Sequence, residues 1–130
     1  MEQSVQPKII IIDDDQFLLD MYAIKFSQSQ FEVATALGPE LALQKLKGGF
    51  LPDVILLDIM MPVMSGFEFL EKINGEKIAE SAVKIILSNR GDQGDVERGR
   101  QLGASGYIVK AATTPAEVIA QVTTIMNQAK

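Results

Sequence analysis

Four consecutive aliphatic residues, Val54–Leu57, stand directly before an aspartate, Asp58, and a loop that runs to Gly66. A short unbroken apolar run is typical of a parallel strand that is covered on both faces of its sheet. The carboxyl ends of such strands form the edge at which α/β proteins bind their ligands. The sequence therefore predicts a buried strand that presents Asp58 at a ligand-binding edge.

A second aliphatic run, residues 9–12, is followed by three aspartates, Asp13, Asp14 and Asp15. Taken alone, such a triplet is more typical of a solvated turn or a helix cap than of a binding site. Carboxylates that two strands bring to the same edge repel each other unless a cation or a proton compensates their charge. Magnesium prefers carboxylate oxygens and keeps waters that a phosphate can replace, so we expect Mg²⁺ at this edge.

Apolar runs alternate with helical patterns along the whole chain. The predicted strands are residues 8–12, 31–36, 54–57, 84–88 and 106–109, and the predicted helices are residues 16–28, 39–47, 66–73, 96–102 and 115–128. Five strand–helix units imply a parallel sheet with helices on both faces. Residues 8–130 are expected to form a single domain, and residues 1–7 a loose, flexible leader.

Two of the predicted helices begin with the sequence signature of a capping box. Ser65 is followed three residues later by Glu68, and Thr114 by Glu117. In such a box each side chain accepts a hydrogen bond from a backbone N–H at the start of the helix. We therefore expect both helices to have well-defined first turns.

The composition excludes several classes of site. The chain has no cysteine and no histidine, which rules out disulfides, zinc–thiolate sites, thiol catalysis and a phosphohistidine on the chain itself. A net charge of -5 without a basic stripe argues against direct nucleic-acid binding. The polar N-terminus and the short apolar runs resemble neither a signal peptide nor a membrane span, so a cytoplasmic protein is the default expectation.

Two further predicted strands lead into polar side chains, Ser88 and Lys110. Each has an ordinary interpretation on its own, as a turn residue and as a surface lysine that covers apolar neighbours. Together with the carboxylates they provide a nucleophile, a hydroxyl donor, a metal site and a positive charge. These groups are the parts needed for phosphoryl transfer.

The same residues occur in the order and on the strands of a known family. Asp13 and Asp14, the segment 58–66 (Asp-Ile-Met-Met-Pro-Val-Met-Ser-Gly), Ser88 and the segment 103–110 (Gly-Ala-Ser-Gly-Tyr-Ile-Val-Lys) closely resemble the receiver domains of two-component response regulators. The resemblance covers nearly the whole chain. It implies a flavodoxin-like, doubly wound five-stranded parallel sheet in the order 2-1-3-4-5. It also implies a signalling phosphoacceptor rather than an enzyme.

The resemblance assigns the acceptor and its metal ligands. Asp58 is implied to accept a phosphoryl group from the phosphohistidine of a sensor histidine kinase or a histidine phosphotransfer protein, in a Mg²⁺-dependent reaction. Asp14, Asp58 and the backbone carbonyl of Met60 would bind the metal directly, and Asp13 would bind it through a water.

The resemblance also implies how the phosphoryl group is read. Lys110 would pair with it, and Ser88 would turn inward to hydrogen-bond it. Tyr107, with its hydroxyl able to reach solvent, would become buried as Ser88 turns. The face formed by the fourth helix, fifth strand and fifth helix would then change its affinity for a downstream protein or form a homodimer.

Some residues depart from the family pattern. Ala111 follows Lys110 where receivers usually have proline, and because a cis bond before a non-proline residue costs about 2.5–4 kcal/mol, we predict a trans bond. Asn89 follows Ser88 where a small residue is common. Arg90 and Met60 occupy positions flanking the pocket that the family uses to tune phosphate lifetime.

Two other classes are weaker matches. A haloacid dehalogenase-type phosphatase needs a second aspartate two residues after the nucleophile, where Met60 stands. A flavodoxin-like nucleotide or flavin carrier needs a glycine-rich loop after the first strand, where the three aspartates stand. Within the favoured class, both a stand-alone receiver and a part of a larger regulator or hybrid kinase remain open.

Overall fold

The structure is a computed structural model and describes residues 6–129. The strands are β1 (Lys8–Asp13), β2 (Glu32–Leu37), β3 (Val54–Leu57), β4 (Val83–Ser88) and β5 (Ala104–Val109). The helices are α1 (Gln16–Gln28), α2 (Pro39–Lys47), α3 (Gly66–Gly75), α4 (Gln93–Gln101) and α5 (Pro115–Gln128), with a short 3₁₀ helix at Lys110–Ala112. Residues 1–5 of the predicted leader, and residue 130 of the predicted domain, lie outside the described residues.

The strands form one parallel sheet in the order β2-β1-β3-β4-β5, which confirms the predicted fold class. All four residues of β3, the central strand, are buried. Alternate side chains of this strand enter opposite layers, since Val54 and Leu56 join one apolar cluster and Ile55 and Leu57 the other. The unbroken aliphatic run therefore reflects a strand that is covered on both sides.

Helices cover both faces of the sheet. One layer is formed by α1 and α5, whose buried residues are Leu19, Tyr22, Phe26, Val118, Val122 and Met126. The other layer contains α2 and α3, whose buried apolar residues are Pro39, Ala42, Leu43, Leu46, Phe67, Phe69, Leu70 and Ile73. Both layers leave the carboxyl ends of β1, β3 and β4 at the same edge of the sheet.

Both predicted capping boxes are present. Ser65 Oγ accepts from the Glu68 N–H at 3.2 Å while Glu68 Oε1 accepts from the Ser65 N–H at 2.9 Å. Thr114 and Glu117 make the same reciprocal pair, at 3.2 and 2.8 Å. These contacts fix the first turns of α3 and α5 beside the edge that carries the polar strand ends.

The structure differs from the sequence prediction mainly in α4. This helix begins at Gln93 rather than at residue 96, because Asp92 Oδ1 caps it by accepting from the Asp95 N–H at 2.8 Å. The 3₁₀ helix that starts at Lys110 was not predicted.

The Lys110–Ala111 bond is trans, as predicted, since the described residues contain no cis peptide bond. Within residues 6–129, no helix combines the length and the apolar character needed to span a membrane.

Candidate functional site

Three aspartates meet at the carboxyl edge of the sheet. Asp13 is the last residue of β1, Asp14 follows it, and Asp58 follows the last residue of β3. One carboxylate oxygen from each lies within 4.8 Å of the others. Asp13 and Asp58 are 5% and 7% exposed, while Asp14 is exposed. Hard oxygen donors at this spacing fit a divalent cation such as Mg²⁺.

The third residue of the acidic run has the ordinary role of a helix cap. Asp15 Oδ1 accepts hydrogen bonds from the N–H groups of Phe17 at 3.0 Å and Leu18 at 3.3 Å. It thereby satisfies two of the free backbone donors at the start of α1. The triplet thus divides into two residues that contribute carboxylates to the cluster and one that starts a helix.

Lys110 brings a positive charge into the cluster. Its Nζ lies 2.7 Å from Asp13 Oδ2 and 3.5 Å from Asp58 Oδ2, and its side chain is 11% exposed. Burial lowers the pKa of Lys110, but the hydrogen bond to Asp13 and the charges of Asp13 and Asp58 outweigh it, so its pKa is raised. Burial raises the pKa of Asp13, against the opposing effect of Lys110. The ammonium is therefore held charged between two carboxylates.

The loop after β3 fixes the orientation of Asp58. Its Oδ1 accepts from the Met60 N–H at 3.3 Å, while its Oδ2 faces Lys110. A side chain at Gly66 would place its Cβ 2.3 Å from the carbonyl oxygen of Asp58. Only glycine therefore allows α3 to start this close to Asp58. The sequence pattern identifies Gly66 only as the end of a motif and the start of a helix.

Ser88 and Tyr107 meet at the backbone of Arg90, a connection that sequence reasoning missed. Ser88 is fully buried at the end of β4, and its Oγ accepts from the Arg90 N–H at 3.2 Å. The Tyr107 hydroxyl donates a hydrogen bond to the Arg90 carbonyl. Burial raises the pKa of Tyr107 to about 12, and the charge of Asp95 contributes to the increase.

The structure thus brings Asp13, Asp14, Asp58 and Lys110 into one cluster, and places Ser88 at the end of the strand beside β3. A carboxylate nucleophile, oxygen ligands for a cation and a fixed ammonium can together stabilise the charge of a transferring phosphoryl group.

A family model described as the response regulator receiver domain matches residues 9–123. Among curated proteins, the chain is similar to the phosphate regulon transcriptional regulatory protein PhoB of Rhizobium meliloti (strain 1021). The two are 33% identical over 124 residues, which is 95% of this chain and 54% of the relative. PhoB of Escherichia coli (strain K12) is 29% identical over 121 residues, which is 93% of this chain and 52% of the relative. The chain therefore spans about half the length of these relatives.

Solved structures give the same result. A CheY-like response regulator receiver domain protein from Methanospirillum hungatei JF-1 superposes with a TM-score of 0.85 at 25% identity, covering 96% of this chain and 97% of that one. The BeF3-activated receiver domain of DrrB superposes with a TM-score of 0.79 at 28% identity, covering 95% and 99% of the two chains.

Proposed function

The chain belongs to the response regulator receiver domain family, and from this premise we propose that Asp58 is the phosphoacceptor of a two-component phosphorelay. The observation that carries the proposal is the position of Lys110 Nζ, 2.7 Å from Asp13 and 3.5 Å from Asp58. An aspartate held beside an ammonium is suited to receive a phosphoryl group, because the ammonium stabilises the charge of its oxygens. The two further carboxylates supply ligands for the cation that offsets their own repulsion.

In the proposed reaction the Asp58 carboxylate attacks the phosphorus of a phosphohistidine on a histidine kinase or phosphotransfer protein. A phosphorus–oxygen bond to Asp58 forms as the phosphorus–nitrogen bond breaks. The electron pair stays with the imidazole nitrogen, and a proton on the other ring nitrogen keeps the leaving imidazole neutral. Lys110 pairs with the phosphoryl oxygens as their charge moves to Asp58, and Ser88 donates a hydrogen bond to one of them.

The acidic cluster would hold the Mg²⁺ that receiver domains generally bind. Asp14, Asp58 and the Met60 carbonyl are the proposed direct ligands, and Asp13 the ligand through a water. When bound, the cation neutralises the phosphoryl oxygens that approach the carboxylates. The donor set supports this assignment, since the carboxylate oxygens lie within 4.8 Å of one another.

The proposed output is a change in the face formed by α4, β5 and α5. Phosphorylation adds charge and acceptor oxygens beside Ser88, and this change alters the affinity of the face for a downstream protein or a second copy of the chain. The similar curated proteins are named transcriptional regulatory proteins, which supports a regulatory output. In this proposal the chain acts by accepting a phosphoryl group in the cytoplasm and does not itself bind nucleic acid.

Acetyl phosphate with Mg²⁺ tests the acceptor. The intact protein should gain the mass of one phosphoryl group, and Asp58→Asn should abolish that gain. Asp20→Asn is the matched control, because Asp20 is exposed on α1 and bonds only the side-chain amide of Gln16 among the described residues. Labelling of Asp58→Asn at the wild-type rate would disprove the assignment.

A further inference from the structure

Arg90 is held at three points that belong to three different elements. Its N–H is bonded to Ser88 at the end of β4, and its carbonyl accepts from Tyr107 of β5. Its guanidinium donates twice to Asp95 of α4, from Nε to Oδ2 at 3.1 Å and from Nη2 to Oδ1 at 2.9 Å. One residue of the β4–α4 loop therefore connects Ser88, Tyr107 and α4.

The Asp95 side of this pair is rigidly placed. The Asp95 side chain is 10% exposed, whereas that of Arg90 is 51% exposed. The Asp95 N–H is itself bonded to the cap of the helix, Asp92 Oδ1, at 2.8 Å. Two parallel hydrogen bonds between a guanidinium and a carboxylate fix both distance and orientation. The pair is therefore a direct link between Arg90 and the first turn of α4.

Helix α4 has little apolar burial of its own. Its buried residues are Asp95 and Gly99 alone, and Val96 is 40% exposed. Its links to α3 are the Arg98 guanidinium, 4.5 Å from the centroid of the Phe67 ring, and the hydrogen bond that Asn74 donates to the Leu102 carbonyl at 2.8 Å. The second arginine–carboxylate pair of the helix, Arg100 with Glu97, lies within α4 and is exposed on both sides. It therefore stabilises the helix without attaching it to another element.

We propose that Asp95 is a positioning residue through which the position of α4 depends on Ser88. A change in the position of the Ser88 hydroxyl shifts Arg90, and the Arg90–Asp95 pair carries this shift into the first turn of α4. The proposal rests on the proposed phosphoacceptor function. When Ser88 bonds a phosphoryl oxygen, its Oγ changes position relative to the Arg90 N–H. The Arg90 peptide then shifts, and with it the acceptor of the Tyr107 hydroxyl and the guanidinium that holds Asp95.

The test compares Asp95→Asn with Glu97→Gln. Both variants remove one negative charge and one arginine pair from α4, but only the first releases the helix from Arg90. Amide and tyrosine-ring NMR shifts are recorded with Mg²⁺, before and after beryllofluoride is added as a phosphoryl mimic. Amides next to Asp58 and Lys110 report binding of the mimic, and the Gly99 and Arg100 amides, which neither substitution adjoins, report α4.

In wild type and Glu97→Gln, we expect the mimic to shift both sets of amides. In Asp95→Asn, the amides beside Asp58 should shift as in wild type, while the shift of the α4 amides falls to less than half. Arg90→Met replaces the more exposed partner of the Arg90–Asp95 pair and should reproduce this loss. It also keeps the test decisive if Asp95→Asn fails to fold.

Full α4 shifts in Asp95→Asn or, if that variant does not fold, in Arg90→Met would overturn the proposal and leave the acceptor function intact. An equal loss in Glu97→Gln would also overturn it, because helix charge rather than the Arg90 pair would then be the cause. If the mimic shifts no amide beside Asp58 in wild type, the acceptor function itself fails, and this inference fails with it.

Discussion

Helices α4 and α5 flank the same edge strand, β5, but are attached to it by different kinds of contact. α5 buries three apolar side chains, Val118, Val122 and Met126. α4 buries only Asp95 and Gly99. Moving α5 away would expose this apolar surface to water, whereas α4 can shift together with Arg90 while the Arg90–Asp95 pair stays intact. We infer that α5 is the fixed support and α4 the helix that is free to respond.

The same substitution in the two helices gives the largest expected difference. Val122 is fully buried, so Val122→Ala should lower the free energy of unfolding by about 2 kcal/mol through lost burial and a cavity. Val96→Ala removes a side chain that is 40% exposed and should change it by less than about 0.5 kcal/mol. Urea denaturation measures both. Equal losses would show that α4 is as firmly packed as α5.

This contrast also explains which helix the sequence predicted well. The bounds of α5 match the prediction, because Val118, Val122 and Met126 recur at helical spacing after a capping box. For α4 the prediction began three residues late. Gly94 in the first turn is not typical of a helix, and the sequence of α4 has no apolar periodicity. Asp92, the cap, is therefore the only sequence signal for the start of this helix.

Amide hydrogen exchange tests the comparison without mutation. The Val96 N–H bonds the Asp92 carbonyl at 3.1 Å, and the Val118 N–H bonds the Thr114 carbonyl at 2.9 Å, so the two amides occupy equivalent first-turn positions. If α4 opens locally, its amide should be protected about tenfold less, which corresponds to about 1.4 kcal/mol. Equal protection of the two amides would contradict the proposed mobility of α4.

The candidate site was predictable where side chains follow directly from strand ends. Asp13, Asp58 and Lys110 converge because parallel strands end at one edge, which the apolar runs already indicate. The links through Arg90 were not predictable, since they depend on how the β4–α4 loop folds back on Ser88 and Tyr107. Sequence spacing does not specify such hydrogen bonds between a loop backbone and distant side chains.

Two glycines of α4 offer a smaller test. A Cβ at Gly94 would meet only Asp92 Oδ1, at 3.5 Å, so Gly94→Ala should stabilise the protein by about 0.5–1 kcal/mol through reduced backbone freedom. A Cβ at Gly99 would lie 2.6 Å from Ile86 Cδ1, so Gly99→Ala requires a shift of α4 or Ile86. It should therefore stabilise less than Gly94→Ala. Thermal unfolding compares the two, and a larger gain for Gly99→Ala would mean that α4 does not pack closely on β4.

The smallest expected effect is on the ionisation of Tyr107, which reports how close α4 lies to β5. Its pKa is raised to about 12 by burial first and then by the charge of Asp95, so the neutral phenol is favoured in the fold. The resulting contribution to the free energy of unfolding is present below the ordinary pKa of 10 and is lost as the pH rises through about 12.

Tyrosinate absorbance in a Tyr22→Phe background isolates Tyr107, because these are the only two tyrosines. Asp95→Asn should lower the pKa of Tyr107 by a fraction of a unit, whereas Glu97→Gln, whose carboxylate is not among the charges that raise it, should leave it unchanged. If both variants lower it equally, Tyr107 senses the net charge of the protein, and the position of α4 beside β5 must be tested by other means.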